Sequence, residues 1–191
     1  MIIQNNKIDN AINTLKNGNV IIYETDTLYG LGADATNNLA VEKINNLKKR
    51  KTPLSIMLDS IEAIEKYANI NTFVRNKLIE IFPGPFTVLL EKRKTDLCDL
   101  VTNNSNKIGI RIPKNKFCIE LLKKYKKPII TTSVNIHGYK ALNNIDEIED
   151  IFFNINIYKG EVKESSKGST ILDFTANPPN IIREGDGIYN K

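Results

Sequence analysis

The chain has 191 residues, 41% of them hydrophobic and 26% charged, with 2 Cys, 1 His and no Trp. That is the composition of one globular domain over residues 1–191, long enough to bury roughly 70% of its unfolded surface. No apolar run approaches the roughly 18 residues of a membrane span, and no signal-peptide pattern opens the chain. A cytoplasmic protein with inert thiols at Cys98 and Cys118 is the expectation. The excess of 27 basic over 22 acidic residues gives +5, which suits an anionic ligand but speaks of encounter more than identity. The charge is further discounted because 25 Asn accompany abundant Lys and Ile, and all three have AT-rich codons.

Apolar spacing at Ile8, Ala11, Ile12 and Leu15, ended by Gly18, predicts an amphipathic helix. A strand follows at Val20 to Tyr23. Leu39, Val41, Ile44 and Leu47 predict a helix from Asn38 to about Lys49 that runs into Lys48-Lys49-Arg50-Lys51, cations that suit a helix C-terminus. Pro53 to Leu58 reads as a strand, Ser60 to Tyr67 and Thr72 to Ile81 as helices, and Phe86 to Leu90 as a strand. Lys92 to Asn106 reads as a polar loop. The run Lys107 to Ile112 alternates with period 2, which turns Ile108, Ile110 and Ile112 to the core and leaves Arg111 displayed on the other face. A helix at Lys114 to Lys126, a strand at Pro128 to Ser133, a helix at Ile145 to Phe152 and strands at Ile155 to Tyr158, Ser169 to Phe174 and Asn180 to Arg183 complete the chain. Helices and strands interleave throughout, so the class is α/β, with a twisted mixed or largely parallel sheet flanked by helices.

The single histidine, His137, cannot supply a zinc cluster, and no G-x-S-x-G elbow accompanies it. No P-loop occurs, and Gly30-Leu-Gly32 does not continue as a dinucleotide fingerprint. Side chains must therefore hold any phosphate, and the candidates stand at strand ends, where open α/β sheets place ligands. Thr25 and Thr27 would share a side if the chain is still extended there. A turn cap is the alternative. Ser133 and Asn135 form a similar pair. Lys48 and Arg50 can converge on one anion only if their helix ends between them, since helical residues two apart point about 200° apart.

The segment Tyr23-Glu-Thr-Asp-Thr-Leu-Tyr-Gly-Leu-Gly32 resembles the Y-P-T-D/E-T-V-Y-G-L-G signature of the YrdC family, the L-threonylcarbamoyladenylate synthases. Six further segments follow in family order. They are Lys48-Lys49-Arg50 (K-x-R), Phe82-Pro-Gly-Pro-Phe-Thr-Val88, Ile108-Gly-Ile-Arg-Ile-Pro113, Thr131-Thr-Ser-Val-Asn135, Gly168-Ser-Thr-Ile-Leu-Asp173 and Ile181-Ile-Arg-Glu-Gly185. Length matches the short, single-domain type. A carbamoyltransferase of hydrogenase maturation uses the same fold in a much longer, cysteine-bearing chain.

The resemblance implies a reaction of L-threonine, bicarbonate and ATP to threonylcarbamoyl-AMP and pyrophosphate. A tRNA threonylcarbamoyl transferase complex would then use the product on the adenosine beside the anticodon. It implies Lys48, Arg50, Ser133 and Asn135 as the catalytic tetrad. The ATP set would be Lys48, Arg50, Lys107, Ser133 and Arg183, and the threonine set Thr27, Arg111, Thr131 and Ser169, with Arg111 on the carboxylate. Mg²⁺ would arrive on the nucleotide, without a metal site of the protein's own. The departures are Glu24 for Pro, Val134 for Ala, His137 for Ser, Met57 where many members have a substrate-facing His, and a short Lys51-Thr52 spacer after Arg50, which leaves a register on Lys49 and Lys51 open. The competing reading is a basic RNA-binding module of the same fold. The neutral set Thr27, Thr131, Ser133, Asn135 and Ser169 argues against it, because a small-molecule pocket needs such groups and a phosphate-backbone binder does not.

Overall fold

The computed structural model describes residues 1–49 and 52–190. Eleven strands form one mixed sheet: β1 (Ile2–Gln4), β2 (Ile21–Tyr23), β3 (Gly30–Gly32), β4 (Ser55–Met57), β5 (Ala68–Asn69), β6 (Phe86–Lys92), β7 (Lys107–Arg111), β8 (Ile129–Ser133), β9 (Asn156–Lys159), β10 (Thr170–Asp173) and β11 (Asn180–Arg183). Their spatial order is β1-β9-β2-β3-β8-β4-β7-β6-β10-β11, with β5 joined to β6. The pairs β1–β9, β2–β9, β4–β7 and β6–β10 are parallel. The antiparallel pairs include β2–β3, β3–β8, β4–β8 and β6–β7, so the sheet is mixed and not largely parallel.

Strand alternation divides the interior in two. Ile22, Ile56, Ile130 and Ile157 enter one apolar cluster, together with Ile108, Ile110 and Ile112 from β7 and its flank. Their neighbours Ile21, Tyr23, Met57, Ile129 and Tyr158 enter the other, beneath α1 (Ile8–Lys16) and α6 (Lys116–Tyr125). The first face is covered by α2 (Asn38–Lys48), α3 (Ile61–Tyr67), α4 (Thr72–Ile81), α5 (Asp99–Thr102) and α7 (Ile145–Ile151).

Four of the asparagines have a clear local use. Asn37, Asn71, Asn115 and Asn144 cap α2, α4, α6 and α7 by accepting from backbone N–H groups of the first turn, and Ser60 does the same for α3. Such caps satisfy donors that the helix itself leaves orphaned. The elements absent from the sequence reading are the shortest. β1, β3 and β5 have two or three residues each, and α5 is one turn inside the segment read as a polar loop.

Asp34 ties the β3 end of the sheet to α6. Its carboxylate, 3% exposed, accepts from Thr36 N and Oγ1 at 2.8 and 2.6 Å, Tyr125 Oη at 2.7 Å and Lys127 Nζ at 2.9 Å. Burial alone would push this carboxyl up, but the hydrogen bonds from Thr36, Tyr125 and Lys127 outweigh it and hold the group below its ordinary value. A depressed carboxyl stabilises the fold above the unfolded value near pH ~4 and loses that contribution as pH falls through the folded value. Asp34→Asn should therefore cost about 2 kcal/mol at neutral pH. Urea unfolding of the variant between about pH 5 and 2 should also show a flatter pH dependence than that of the parent.

Candidate active site

A cavity of about 450 Å³ opens on the sheet face that carries Tyr23, Met57 and Ile129. Sheet register explains its position. Ser55 of β4 lies beside Gly109 of β7 and Thr131 of β8, and all three stand in the cavity wall or under it. Helices α1 and α6 cover the apolar half of this face, and the cavity occupies its polar continuation. The site therefore spreads over a sheet face and does not hang from strand ends alone. Gly109 keeps its floor low, since a Cβ there would come within 2.4 Å of Ser55 Oγ.

Lys48 forms one end. It is the last residue of α2, and Lys49 stops the helix in the left-handed region at φ 52°, ψ 39°. The helix thus ends where convergence of Lys48 with a residue two further on requires it to. Lys48 is 2% exposed, not a solvated terminus. Its Nζ donates to Ser133 O at 2.7 Å, Asn135 O at 3.2 Å and Asn135 Oδ1 at 2.6 Å. Ser133 Oγ donates to the same Oδ1 at 2.8 Å, and Asn135 Nδ2 donates to Tyr139 O at 2.6 Å. Both ends of the Asn135 amide are thereby assigned. Arg50 and Lys51, and with them the choice of register, lie outside the described residues.

The second wall is the bend after β2. Thr25 Oγ1 accepts from Thr27 N at 3.0 Å, donates to Leu28 O at 2.7 Å and meets Thr27 Oγ1 at 3.2 Å. The chain is not extended here. Thr25 caps the turn, and the turn presents Thr27, 2% exposed, to the cavity. At the third wall Ser169 precedes β10, its Oγ 2.8 Å from Thr87 Oγ1. Arg183, at the end of β11, donates from Nη2 to Ser169 O at 2.7 Å and to Ser169 Oγ at 3.3 Å. Partial burial and the nearby Arg111 cation lower the proton affinity of Arg183.

Arg111 is not displayed. It is 5% exposed, because its side of β7 faces the β2 bend and α6 and not solvent, and its Nη2 lies 2.7 Å from Asp26 Oδ1. The cavity thus gathers Lys48, Ser133, Asn135, Thr27, Arg111, Thr131, Ser169 and Arg183. Lys107 is not among its lining residues. It stands four residues from Arg111, about 13 Å along the strand, and pairs with Asp173 at 2.7 Å. Met57 is also outside the lining. It is fully buried, and Tyr23 Oη approaches its sulfur at 3.6 Å. Burial pushes the Tyr23 phenol far above its ordinary value and the Cys118 thiol well above its own, so both groups stay protonated beneath the site. Thr87, Ser55 and Lys167 line the cavity without having been singled out. For Thr87 the signal was present in Phe82-Pro-Gly-Pro-Phe-Thr-Val88.

Among the described residues the lining supplies hydroxyls, an amide and cations, and no carboxylate. Among the described residues no group of three or more His, Cys, Asp or Glu could hold a metal ion, and no helix is long and apolar enough to cross a membrane. Such an arrangement suits the binding of anions and the orienting of polar atoms.

The family model for Sua5, YciO and YrdC, described as telomere recombination, matches residues 13–185. The chain belongs to this family. A Sua5/YciO/YrdC relative from Methanocaldococcus jannaschii, provisionally named a threonylcarbamoyl-AMP synthase, is 38% identical over 176 residues, covering 88% of this chain and 81% of its own. The threonylcarbamoyl-AMP synthase of Vibrio vulnificus is 25% identical over 185 residues, 93% of this chain and 98% of its own. The crystal structure of Pyrococcus abyssi Sua5 complexed with L-threonine superposes with a TM-score of 0.88 at 28% identity over 97% of this chain, which spans 57% of the length of that protein.

Lys48→Met keeps the length of the side chain but removes the donors to three partly buried oxygens. It should cost about 2–4 kcal/mol in urea unfolding, and the loss should be accompanied by faster amide exchange at the end of β8.

Proposed function

We propose that the chain joins L-threonine, bicarbonate and ATP into threonylcarbamoyl-AMP, releasing pyrophosphate and water. The observation that carries this reading is the convergence of Thr27, Thr131, Ser169 and Arg111 with Lys48, Ser133 and Asn135 around one cavity. An amino acid with a hydroxyl and a carboxylate needs the first group, and a triphosphate needs the second.

The chemistry requires no enzyme nucleophile. The threonine amine takes up CO2 as a carbamate, a carbamate oxygen attacks the α-phosphorus, and the bond to pyrophosphate breaks. Positioning and charge stabilisation carry such a step. Arg111 would pair with the threonine carboxylate while Thr27, Thr131 and Ser169 bond its remaining polar atoms. Ser133, Arg183 and Arg50 would hold phosphates, and Lys48 would place positive charge beneath the departing pyrophosphate. Lys107 is left out of this set, since its ammonium is engaged by Asp173 away from the cavity. Mg²⁺ would ride on the triphosphate, with Thr and Ser hydroxyls as the protein oxygens within reach, and would neutralise phosphate charge. A tRNA threonylcarbamoyl transferase complex would consume the unstable adenylate.

The RNA-module reading is weaker on the same observation. Phosphate-backbone binding calls for exposed cations, whereas Thr27, Ser169 and Arg111 are buried. Purified protein with ATP and Mg²⁺ should release pyrophosphate only when threonine and bicarbonate are both present. Absence of release together with tight RNA binding would reverse the assignment. Ser133→Ala should lower turnover about 100-fold while changing unfolding free energy by less than about 1 kcal/mol. Comparable loss of both would mark Ser133 as structural.

A further inference from the structure

Arg111 and Asp26 form a nearly dry ion pair, with side chains 7% and 11% exposed. The pairing has one prong. Arg111 Nη2 meets Asp26 Oδ1 at 2.7 Å, while Arg111 Nε and Asp26 Oδ2 are both buried without a hydrogen-bond partner. A guanidinium and a carboxylate this close ordinarily align as a two-pronged fork. Here the carboxylate holds one corner of the guanidinium and leaves a buried N–H of a cavity-lining cation without an acceptor. That Nε–H is closed to the cavity as well, so an anionic group entering the cavity would meet Arg111 through the rest of its guanidinium.

Asp26 sits between the two threonines of the β2 bend. The hydrogen bond from Thr27 N to Thr25 Oγ1 that turns Thr27 into the cavity also fixes the backbone carrying Asp26. One three-residue stretch thus sets both the hydroxyl of Thr27 and the orientation of Arg111. Asp26 does not itself line the cavity, so it acts on a ligand through its neighbours.

We propose that Asp26 is a positioning residue of the site: its carboxylate orients the Arg111 guanidinium toward the carboxylate of the amino-acid substrate, and so sets affinity for the amino acid without affecting the nucleotide. This rests on the synthase reading given above. The test is steady-state pyrophosphate release by D26N, D26E and R111A and by the D26N/R111A double variant, with KM read separately for threonine and ATP. D26N should raise the threonine KM about 10- to 100-fold, as for loss of a charged hydrogen bond, with the ATP KM within about twofold. D26E restores the charge at a shifted position and should fall between parent and D26N, at about 3- to 10-fold. The double variant should be no worse than R111A, because the two residues act as one unit. Equal effects on both KM values, an unchanged threonine KM, or multiplying effects in the double variant would overturn the proposal. If D26N fails to fold, D26E decides, and an unchanged threonine KM in D26E is equally fatal. A parent protein without threonine-dependent release defeats the synthase reading instead. The role of Asp26 is then judged from calorimetric threonine binding to the same variants, where weakening by D26N sustains it and unchanged binding ends it.

Discussion

One buried ammonium organises the site. Lys48 Nζ joins the C-terminus of α2 to the end of β8 through Ser133 O, Asn135 O and Asn135 Oδ1. A buried cation is tolerable only where fixed oxygens surround it, so the position of the Ser133-Val-Asn135 segment and the place where α2 stops are parts of one constraint. The left-handed Lys49 then turns the chain away from the helix axis at that point. The Lys48 end of the cavity carries a positive charge largely withdrawn from solvent, a condition that strengthens the action of a fixed charge on an anion.

The remaining walls follow from sheet order. Because β6 runs antiparallel to β7 and parallel to β10, Thr87 and Ser169, near the starts of β6 and β10, come level with Arg111 at the end of β7. The antiparallel β10–β11 hairpin then brings Arg183 back over Ser169. A largely parallel sheet would have separated these residues by the length of a strand. The mixed topology, more than any single loop, assembles hydroxyls and cations from five strands around one cavity.

The helices and the longer strands were legible because their signals are local. Period-3.6 apolar spacing, Asn and Ser caps and the Pro83-Gly84-Pro85 break mark α1 to α4 and α6 without reference to the rest of the chain. β3 was not legible, since Gly30-Leu-Gly32 has no β-branched residue. It exists because Tyr23 packs against Gly32, where a Cβ would stand 2.5 Å from the ring. Residue identities at the site were legible through the seven motif segments, and most of those residues do line one cavity. The structure overturns one reading and sets a second residue apart from the cavity, for separate reasons. Alternation along β7 told which residues share a face but not what covers that face, so Arg111 was taken as displayed although the β2 bend and α6 enclose it. Lys107 was grouped with the site by nearness in sequence, although an extended strand carries it about 13 Å away.

The class of fold, most element positions and the chemical character of the protein were readable from the chain alone: one histidine and two isolated cysteines leave little for a metal cluster or a covalent nucleophile and put the weight on hydroxyls, amides and charged side chains. Those properties reside in composition and short-range spacing. The tertiary structure decided which of the candidates meet, that the cavity lies on a sheet face, and that Arg111 is held by Asp26 from outside the cavity wall. Contacts such as Lys48 with Asn135 or Arg111 with Asp26 join residues more than 80 positions apart. They depend on strand order and register, which no local pattern in the chain encodes.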